Sequence, residues 1–399
     1  MSLSYCYYCL FRGLVCLASR FARLPQCRKG RVFVPGCLLF FAQAVTAEDW
    51  TLYRGDPQAT GQAAGEIPEV PKLLWQFRSR ASGLQESDSR GYAPFVATPI
   101  VAEGTVYFGE DDKLFYAVSL ETGQPVWTFD RGNGYRAAAA FHDGTVYAGD
   151  IYGHIYALDA KTGGQKWTFA ANMEIHNAPN LWRDRLLVAS QDQTLYALNL
   201  KSGEVHWKYE TDDQLRCFPT VADEVCFLVG CDCYLHVVDL PEGKAVRKVD
   251  ALAQSGNNAV VWKDAVYFGT QGNEFLAVDW KKGAILWKFR VKQAVDASAA
   301  VSEEVVVFGA DDRRVHALDR KTGRELWNVP LKNVIKGAPV VTKTRVVLGS
   351  LDGNLYLLDL RTGKEIWKFE SDGRIVASPV WVGGKLLFVT DRGTLYCWH

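Results

Sequence analysis

The chain contains 399 residues, of which 48% are hydrophobic, 13% aromatic and 23% charged. This composition is typical of a globular protein with a full core, and it excludes disordered and collagen-like architectures. The net charge is zero, but six basic and no acidic side chains precede residue 48, which leaves 39 basic against 45 acidic side chains in the rest. This acidic balance argues against sequence-independent binding of nucleic acid, and we expect no nucleic-acid partner.

The first 47 residues have the pattern of an export signal. A basic stretch ending at Arg31 precedes an apolar run over residues 32–42, and small residues follow in Val45-Thr46-Ala47. This order predicts a secretory signal peptide cleaved after Ala47, and hence an exported protein, periplasmic or envelope-associated, with no transmembrane span in its mature form. Two alternatives stay open, which are an uncleaved anchor and a start site placed too early.

A repeat of forty residues decides the fold. A glycine recurs at this interval without a slip, and a tryptophan follows it four residues later in every unit except the one that carries Arg247. Short alternating segments at this period indicate propeller blades, with the glycine in a hairpin loop and the tryptophan docking against the neighbouring blade. The glycines are Gly123, Gly163, Gly203, Gly243, Gly283, Gly323 and Gly363, and the tryptophans are Trp127, Trp167, Trp207, Trp287, Trp327 and Trp367.

Each repeat unit contains four predicted strands. In the last full unit these strands cover residues 338–341, 345–349, 354–359 and 365–369. In three of the connections, Asp, Asn or Gly residues provide the turn chemistry that hairpins need.

The two ends of the chain complete one blade between them. The tail supplies strands at 378–381, 385–389 and 394–398, and residues 73–77 supply the missing outer strand, with Trp75 as the eighth docking residue. The sequence therefore predicts an all-β protein, a single eight-bladed propeller of four-stranded antiparallel blades over residues 73–399. We expect an N-terminal extension over 48–72 and a loop insertion over 79–90.

One motif points to a known family. The pattern Ala-x-Asp-x-x-Thr-Gly-x-x-x-Trp is complete at 157–167 and at 317–327. It resembles the tryptophan-docking motif of the eight-bladed propellers of the pyrroloquinoline-quinone (PQQ) type, a group that includes quinoprotein alcohol dehydrogenases and the outer-membrane assembly factor BamB. The segment 50–56, followed by Thr60-Gly61, is similar to the start of many exported bacterial proteins in this group.

The chain also departs from the members of that group. The dehydrogenases carry two adjacent cysteines over the quinone, and no two cysteines are adjacent here. Their blades contain inserted loops, for which the strict spacing of forty residues leaves no room. The assembly factor is a lipoprotein, and this chain has no convincing lipid-attachment cysteine.

A polar column marks the predicted mouth of the central funnel. It lies three positions before a column of small residues in the innermost strands, and the column preceding it is mostly apolar, so alternation turns the polar side chains towards the funnel. The predicted residues for ligand or partner binding are Arg136, His176, Arg216, Asn257, Asp296 and Lys336. Their cations predict a positive mouth suited to an anionic ligand or an acidic partner segment.

Two other interpretations of the mouth stay open. In one, Asp296 pairs with Lys336 and the arginines bond to carbonyl groups in a solvated entrance. In the other, the propeller is purely structural, and all the charges of its mouth pair internally.

The cysteines and the acidic turns are weaker candidates for a site. Cys217, Cys226, Cys231 and Cys233 crowd into the blade that lacks its tryptophan. Their spacing lacks the paired knuckles of zinc sites, so we favour buried free thiols and keep a cross-strand disulfide as an alternative. Acidic hairpin tips such as 110–112 and 311–312 are interpreted as turn formers and not as calcium ligands, and no metal site is predicted.

Together these features predict an exported, non-catalytic binding or scaffold module of the bacterial cell envelope. It would hold a protein partner, or an anionic ligand, at the funnel mouth. No catalytic residue and no cofactor are expected. The alternative is a quinoprotein-like oxidoreductase or cofactor-binding protein that takes PQQ with calcium at the same mouth, which would need an aromatic floor and metal-binding carboxylates beside the cations.

Overall fold

The computed structural model describes residues 49–79 and 95–399, and in these two ranges it consists of strands joined by short turns, with no helix. The predicted signal sequence and most of the predicted loop insertion lie outside the described residues. Thirty-two strands form eight separate sheets of four strands each. These sheets are the eight blades of the predicted propeller.

Blades 1 to 4 follow one another along the chain. In blade 1 the strands are β2 (Ile100–Ala102), β3 (Thr105–Gly109), β4 (Leu114–Ser119) and β5 (Pro125–Asp130). In blade 2 they are β6 (Ala140–His142), β7 (Thr145–Gly149), β8 (His154–Asp159) and β9 (Gln165–Ala170). In blade 3 they are β10 (Asn180–Trp182), β11 (Arg185–Ala189), β12 (Thr194–Asn199) and β13 (Val205–Glu210). In blade 4 they are β14 (Thr220–Ala222), β15 (Val225–Val229), β16 (Tyr234–Asp239) and β17 (Ala245–Asp250).

Blades 5 to 7 continue the same order. Blade 5 contains β18 (Val260–Trp262), β19 (Ala265–Gly269), β20 (Glu274–Asp279) and β21 (Ala284–Arg290). Blade 6 contains β22 (Ala300–Val301), β23 (Val305–Gly309), β24 (Arg314–Asp319) and β25 (Glu325–Pro330). Blade 7 contains β26 (Val340–Val341), β27 (Arg345–Gly349), β28 (Asn354–Asp359) and β29 (Glu365–Glu370).

Blade 8 closes the ring with both ends of the chain, as predicted. Its strands are β30 (Val380–Val382), β31 (Lys385–Val389), β32 (Thr394–Trp398) and β1 (Leu73–Arg78). The N-terminal strand β1 is the outer strand and pairs antiparallel with β32, placing Trp75 opposite Cys397. This pairing leaves no blade incomplete among the eight sheets, so the ring has no open seam.

The innermost strands are shorter than predicted. The prediction of 338–341 becomes Val340–Val341, and that of 378–381 becomes Val380–Val382. Proline at positions 339 and 379 has no backbone N–H to donate, so the ladder begins only after it.

Docking contacts hold neighbouring blades together. The Trp127 indole N–H donates to the Ala160 carbonyl across the seam, 2.9 Å away, and its ring lies against the turn glycine of blade 2. Equivalent bonds come from Trp75, Trp167, Trp207, Trp287 and Trp327. Arg247 substitutes for the missing tryptophan, because its guanidinium donates to the Lys281 carbonyl at 3.1 Å. The unusual blade therefore keeps a seam bond of its own.

The segment before β1 crosses the ring instead of lying outside it. We call residues 50–64 the strap. Trp50 pairs with Val101 in the innermost strand of blade 1, and Gln62 lies beside Val341 in that of blade 7. The strap contacts the ends of the innermost strands opposite to those that carry the polar column. The ring thus has a mouth face and a strap face.

Candidate functional site

The polar column lies at the mouth of the funnel in the innermost part of the ring. The residues immediately before it, such as Tyr135, Ile175 and Ile335, are buried, whereas Arg136 and His176 are exposed or half-buried. Successive side chains of an extended chain point to opposite sides, which gives this division. The blade order then distributes the polar positions around the funnel.

A small cavity opens at this mouth. Its volume is about 140 Å³, and it is lined by parts of blades 1, 2, 3, 7 and 8 and by Tyr53 of the strap. The side chains of Arg136, His176 and Lys336 belong to its wall. Arg216 and Asp296 are outside the lining, and Asn257 is in the core, 2% exposed, with its amide donating to the Val295 carbonyl at 2.8 Å.

Two of the mouth cations are held by carboxylates of the preceding blade. Arg136 forms a two-pronged contact with Asp111, with one N–H to O distance of 3.1 Å. Lys336 donates to Asp311 at 2.9 Å and to Asp296 at 2.8 Å. Burial alone would lower the pKa of Lys336, but the hydrogen bonds to Asp296 and Asp311 outweigh it and raise the pKa above its ordinary value.

The remaining members of the column are also bonded inside the protein. The His176 ring contacts the carboxylate of Glu174, two residues earlier. The Arg216 guanidinium donates to the side-chain amide of Gln214 at 2.8 Å and reaches that of Gln191 at 3.5 Å. The arginines therefore bond to side chains and not to carbonyl groups as one interpretation held.

Counting these groups changes the expected electrostatics of the mouth. Arg136, Arg216 and Lys336 contribute three positive charges, while Asp111, Asp296, Asp311 and Glu174 contribute four negative ones. With neutral histidine the cluster is slightly acidic, so the prediction of a positive mouth does not match the arrangement. The geometry instead matches the interpretation in which the mouth charges pair internally.

The acidic partners were present in the sequence but were interpreted only as turn formers. Asp111 lies 25 residues before Arg136, and Asp311 lies 25 residues before Lys336. This offset places the carboxylate in the β3–β4 or β23–β24 hairpin, directly beside the cation of the next blade. The repeated interval was the signal that could have identified these pairs.

The residues of the mouth do not fit PQQ. The quinone is a planar tricarboxylate, and a site for it needs cations able to pair with its carboxylates and an aromatic surface beneath its rings. Here the cations already have carboxylate or amide partners, and Tyr53 is the one aromatic side chain in the lining. The cavity is also below the roughly 300–1,000 Å³ of small-molecule pockets.

The cysteines of blade 4 do not converge on a metal site. Within 49–79 and 95–399, no three side chains of His, Cys, Asp or Glu are arranged to hold a metal ion. Cys217 and Cys226 are buried free thiols, and Cys231 and Cys233 are half-buried free thiols. Burial raises the pKa of Cys217 to about 12, so this sulfur stays protonated.

Apolar side chains are exposed on the mouth face around the funnel. Tyr152, in the β7–β8 hairpin, is 63% exposed, and Met173, in the adjoining crossover to blade 3, is 45% exposed. Two further exposed side chains, Tyr234 and Leu252, occupy the corresponding hairpin and crossover of blade 4. Because Ala171 bonds to the carbonyl of Gly153, each hairpin lies against its crossover, so these pairs form local patches.

Comparison with known proteins agrees with this architecture. The family model described as outer membrane protein assembly factor BamB matches residues 132–284 and 274–397, which together make up more than half of the chain. The fold thus defines an eight-bladed propeller of the PQQ type. The chain belongs to the BamB family of these propellers.

Solved structures share the fold at low sequence identity. BamB from Moraxella catarrhalis is 17% identical with a TM-score of 0.70, and the match covers 83% of this chain and 100% of that one. A quinohemoprotein alcohol dehydrogenase from Comamonas testosteroni is 14% identical with a TM-score of 0.72, covering 88% and 80%. The computationally designed Ika8 protein is 18% identical with a TM-score of 0.69, covering 78% and 98%. No curated protein sequence matches the chain.

Proposed function

We propose that this protein is a non-catalytic scaffold of the bacterial cell envelope that binds a protein partner across its mouth face. Family membership supports a role in assembly, since the matching family is described as an outer membrane protein assembly factor. The predicted signal peptide supports export. Across the part of the chain that the structure describes, no helix is long and apolar enough to cross a membrane.

The observation that carries the proposal is the combination of a self-neutralised mouth with exposed apolar patches around it. Paired charges cost little to bring against another protein, because each keeps its partner. Exposed aromatic and methionine side chains are enriched in the centres of protein interfaces. Tyr152 and Met173 meet this description on the mouth face.

The experiment compares two double variants that each exchange exposed apolar groups for charges. Tyr152→Asp with Met173→Asp alters the mouth face, whereas Val246→Asp with Leu286→Asp alters outer strands, where both residues are 53% exposed. Each is returned to a bacterium from which the native gene has been deleted. Folded outer-membrane proteins are then quantified by their heat-dependent mobility in gels.

We expect the outer-strand variant to restore the folded outer-membrane proteins and the mouth-face variant to fail several-fold. Fractionation of the same cells tests export, with the protein expected outside the cytoplasm. Full restoration by both variants would refute the mouth face as the binding surface. Recovery of the protein from the cytoplasm alone would refute the envelope location.

A further inference from the structure

The strap contacts every blade of the ring in turn. Trp50 exchanges two backbone bonds with Val101 of blade 1, at 2.8 and 2.9 Å. The amides of Phe141, Val221, Val261, Val301 and Val341, one each from blades 2, 4, 5, 6 and 7, donate to carbonyl groups of the strap. Side chains of Asn180 and Trp381 donate to the strap from blades 3 and 8.

These contacts cover groups that would otherwise be exposed along the axis. Each donor belongs to an innermost strand, whose inner edge has no strand beside it in its own sheet. An uncovered edge of this kind leaves backbone amides without partners. The strap supplies a carbonyl to five of them and therefore acts as a shared partner for the inner edges.

Arg54 fixes the strap to the ring from within the channel. Its side chain is 1% exposed, and its guanidinium donates to the carbonyls of Ala299 at 3.1 Å and Ala338 at 3.2 Å, and also to that of Pro339. These carbonyls belong to blades 6 and 7. A buried cation without such bonds would be costly, so the guanidinium resists leaving this position alone.

A glycine leaves the room that Arg54 occupies. A Cβ atom at Gly61 would lie 1.9 Å from Nη2 of Arg54 and 2.5 Å from its Cζ, where no atom can stay. Gly65 has a similar backbone, with φ of +73° against +64°, but the nearest atom to its Cβ would be Nε1 of Trp381 at 3.7 Å. The two glycines thus differ in the space around them and not in backbone conformation.

We infer that residues 50–64 are a single cooperative clasp, fixed by Arg54, which closes the channel opposite the funnel mouth. Its bonds are spread over all eight blades, with about one for each blade, so no one of them holds its section independently. The mouth cavity, with Tyr53 in its lining, is then a pocket with one entrance. This inference does not depend on the proposed function.

The test is hydrogen exchange followed by mass spectrometry on the full chain. Gly61→Ala displaces the guanidinium, and Gly65→Ala is the matched control with the same backbone penalty. We expect Gly61→Ala to accelerate exchange at least about tenfold in peptides that contain Phe141, Val221 and Val341 alike, and Gly65→Ala to leave the distant two unchanged.

Two results would overturn the inference. Faster exchange at Val341 alone, beside the substitution, would show that each section of the strap is held separately. Equal effects of the two variants would show that Arg54 does not fix the strap. If Gly61→Ala does not fold, Arg54→Lys takes its place, since it keeps the charge but cannot reach all three carbonyls, and the same peptides decide.

Discussion

The seam between blades 4 and 5 allows a direct test of how the docking side chains stabilise the ring. Gly243 and Gly283 occupy equivalent turns, with φ of +70° and +71°. A Cβ at Gly243 would lie 2.5 Å from the rigid indole of Trp207, whereas one at Gly283 would meet the guanidinium of Arg247 at 2.8 Å. Alanine pays the same backbone penalty of about 1–2 kcal/mol at both positions.

The difference between the two substitutions then comes from the docking side chain. Carbon atoms pack at about 3.5–4.0 Å, so the indole must move by about 1 Å or more and lose its 3.0 Å bond to the Leu240 carbonyl. The exposed arginine can swing into solvent and loses only one weakly held bond. We expect Gly243→Ala to be less stable than Gly283→Ala by about 1–3 kcal/mol, which combines one hydrogen bond with lost packing.

Urea unfolding of the two purified variants and the unaltered chain, followed by tryptophan fluorescence and circular dichroism, measures this difference. Comparing midpoints avoids assuming that an eight-bladed ring unfolds in one step. Equal midpoints for the two variants would refute the reasoning, because the backbone penalty alone would then account for both. A lower midpoint for Gly283→Ala would refute it more strongly.

Three further predictions concern the mouth and the thiols. Lys336→Met should destabilise the protein at pH 7 by about 1–2 kcal/mol, because Asp296 and Asp311 lose their common cation, and this loss should shrink near pH 4 as the carboxylates protonate; an equal loss at both pH values in urea unfolding would contradict it. Alkylation of the native protein at pH 8, mapped by mass spectrometry, should modify Cys233 well before Cys217, whose pKa burial raises to about 12; early modification of Cys217 would show that its site is open. Titration with PQQ and calcium should give no saturable quenching of tryptophan fluorescence, since the mouth cations are already paired, and saturable quenching would restore the quinone alternative.

The regular features of the fold were predictable because they repeat. The bounds of β27, β28, β31 and β32 agree with the sequence prediction to the residue. In these strands, apolar alternation and the flanking turn residues act locally, within one blade. Periodicity also located the polar column correctly, because alternation is a property of a single extended chain.

The chemistry of the mouth was less predictable because it depends on contacts between blades. Arg136 was judged by its own column, while its partner Asp111 belongs to the hairpin of another blade. Asn257 was placed at the mouth although its side chain turns into the core, one position out of register with the column. Local pattern assigns a face to a residue, but it does not reveal which charge of a neighbouring blade lies opposite.

The strap was the feature least accessible from sequence. Its motif was noted as similar to the start of exported proteins, without a structural role. Each of its bonds joins residues up to 285 positions apart, and the strap meets most blades through a single contact. Nothing in the spacing of residues 50–64 repeats, so periodicity carries no information about this segment.

The closure of blade 8 has a consequence for how the chain reaches its native state. Strand β32 is sandwiched between β31 and β1, so the N-terminal strand has no partner until the last residues of the chain are in place. Seven blades are local structures that can form early, but this pairing joins residues more than 300 positions apart, and contacts of such long range form slowly. Ring closure should therefore be the late step of folding. Removing only residues 394–399 would leave β1 without a ladder and two blades facing an open seam, which makes the last six residues far more consequential than their number suggests.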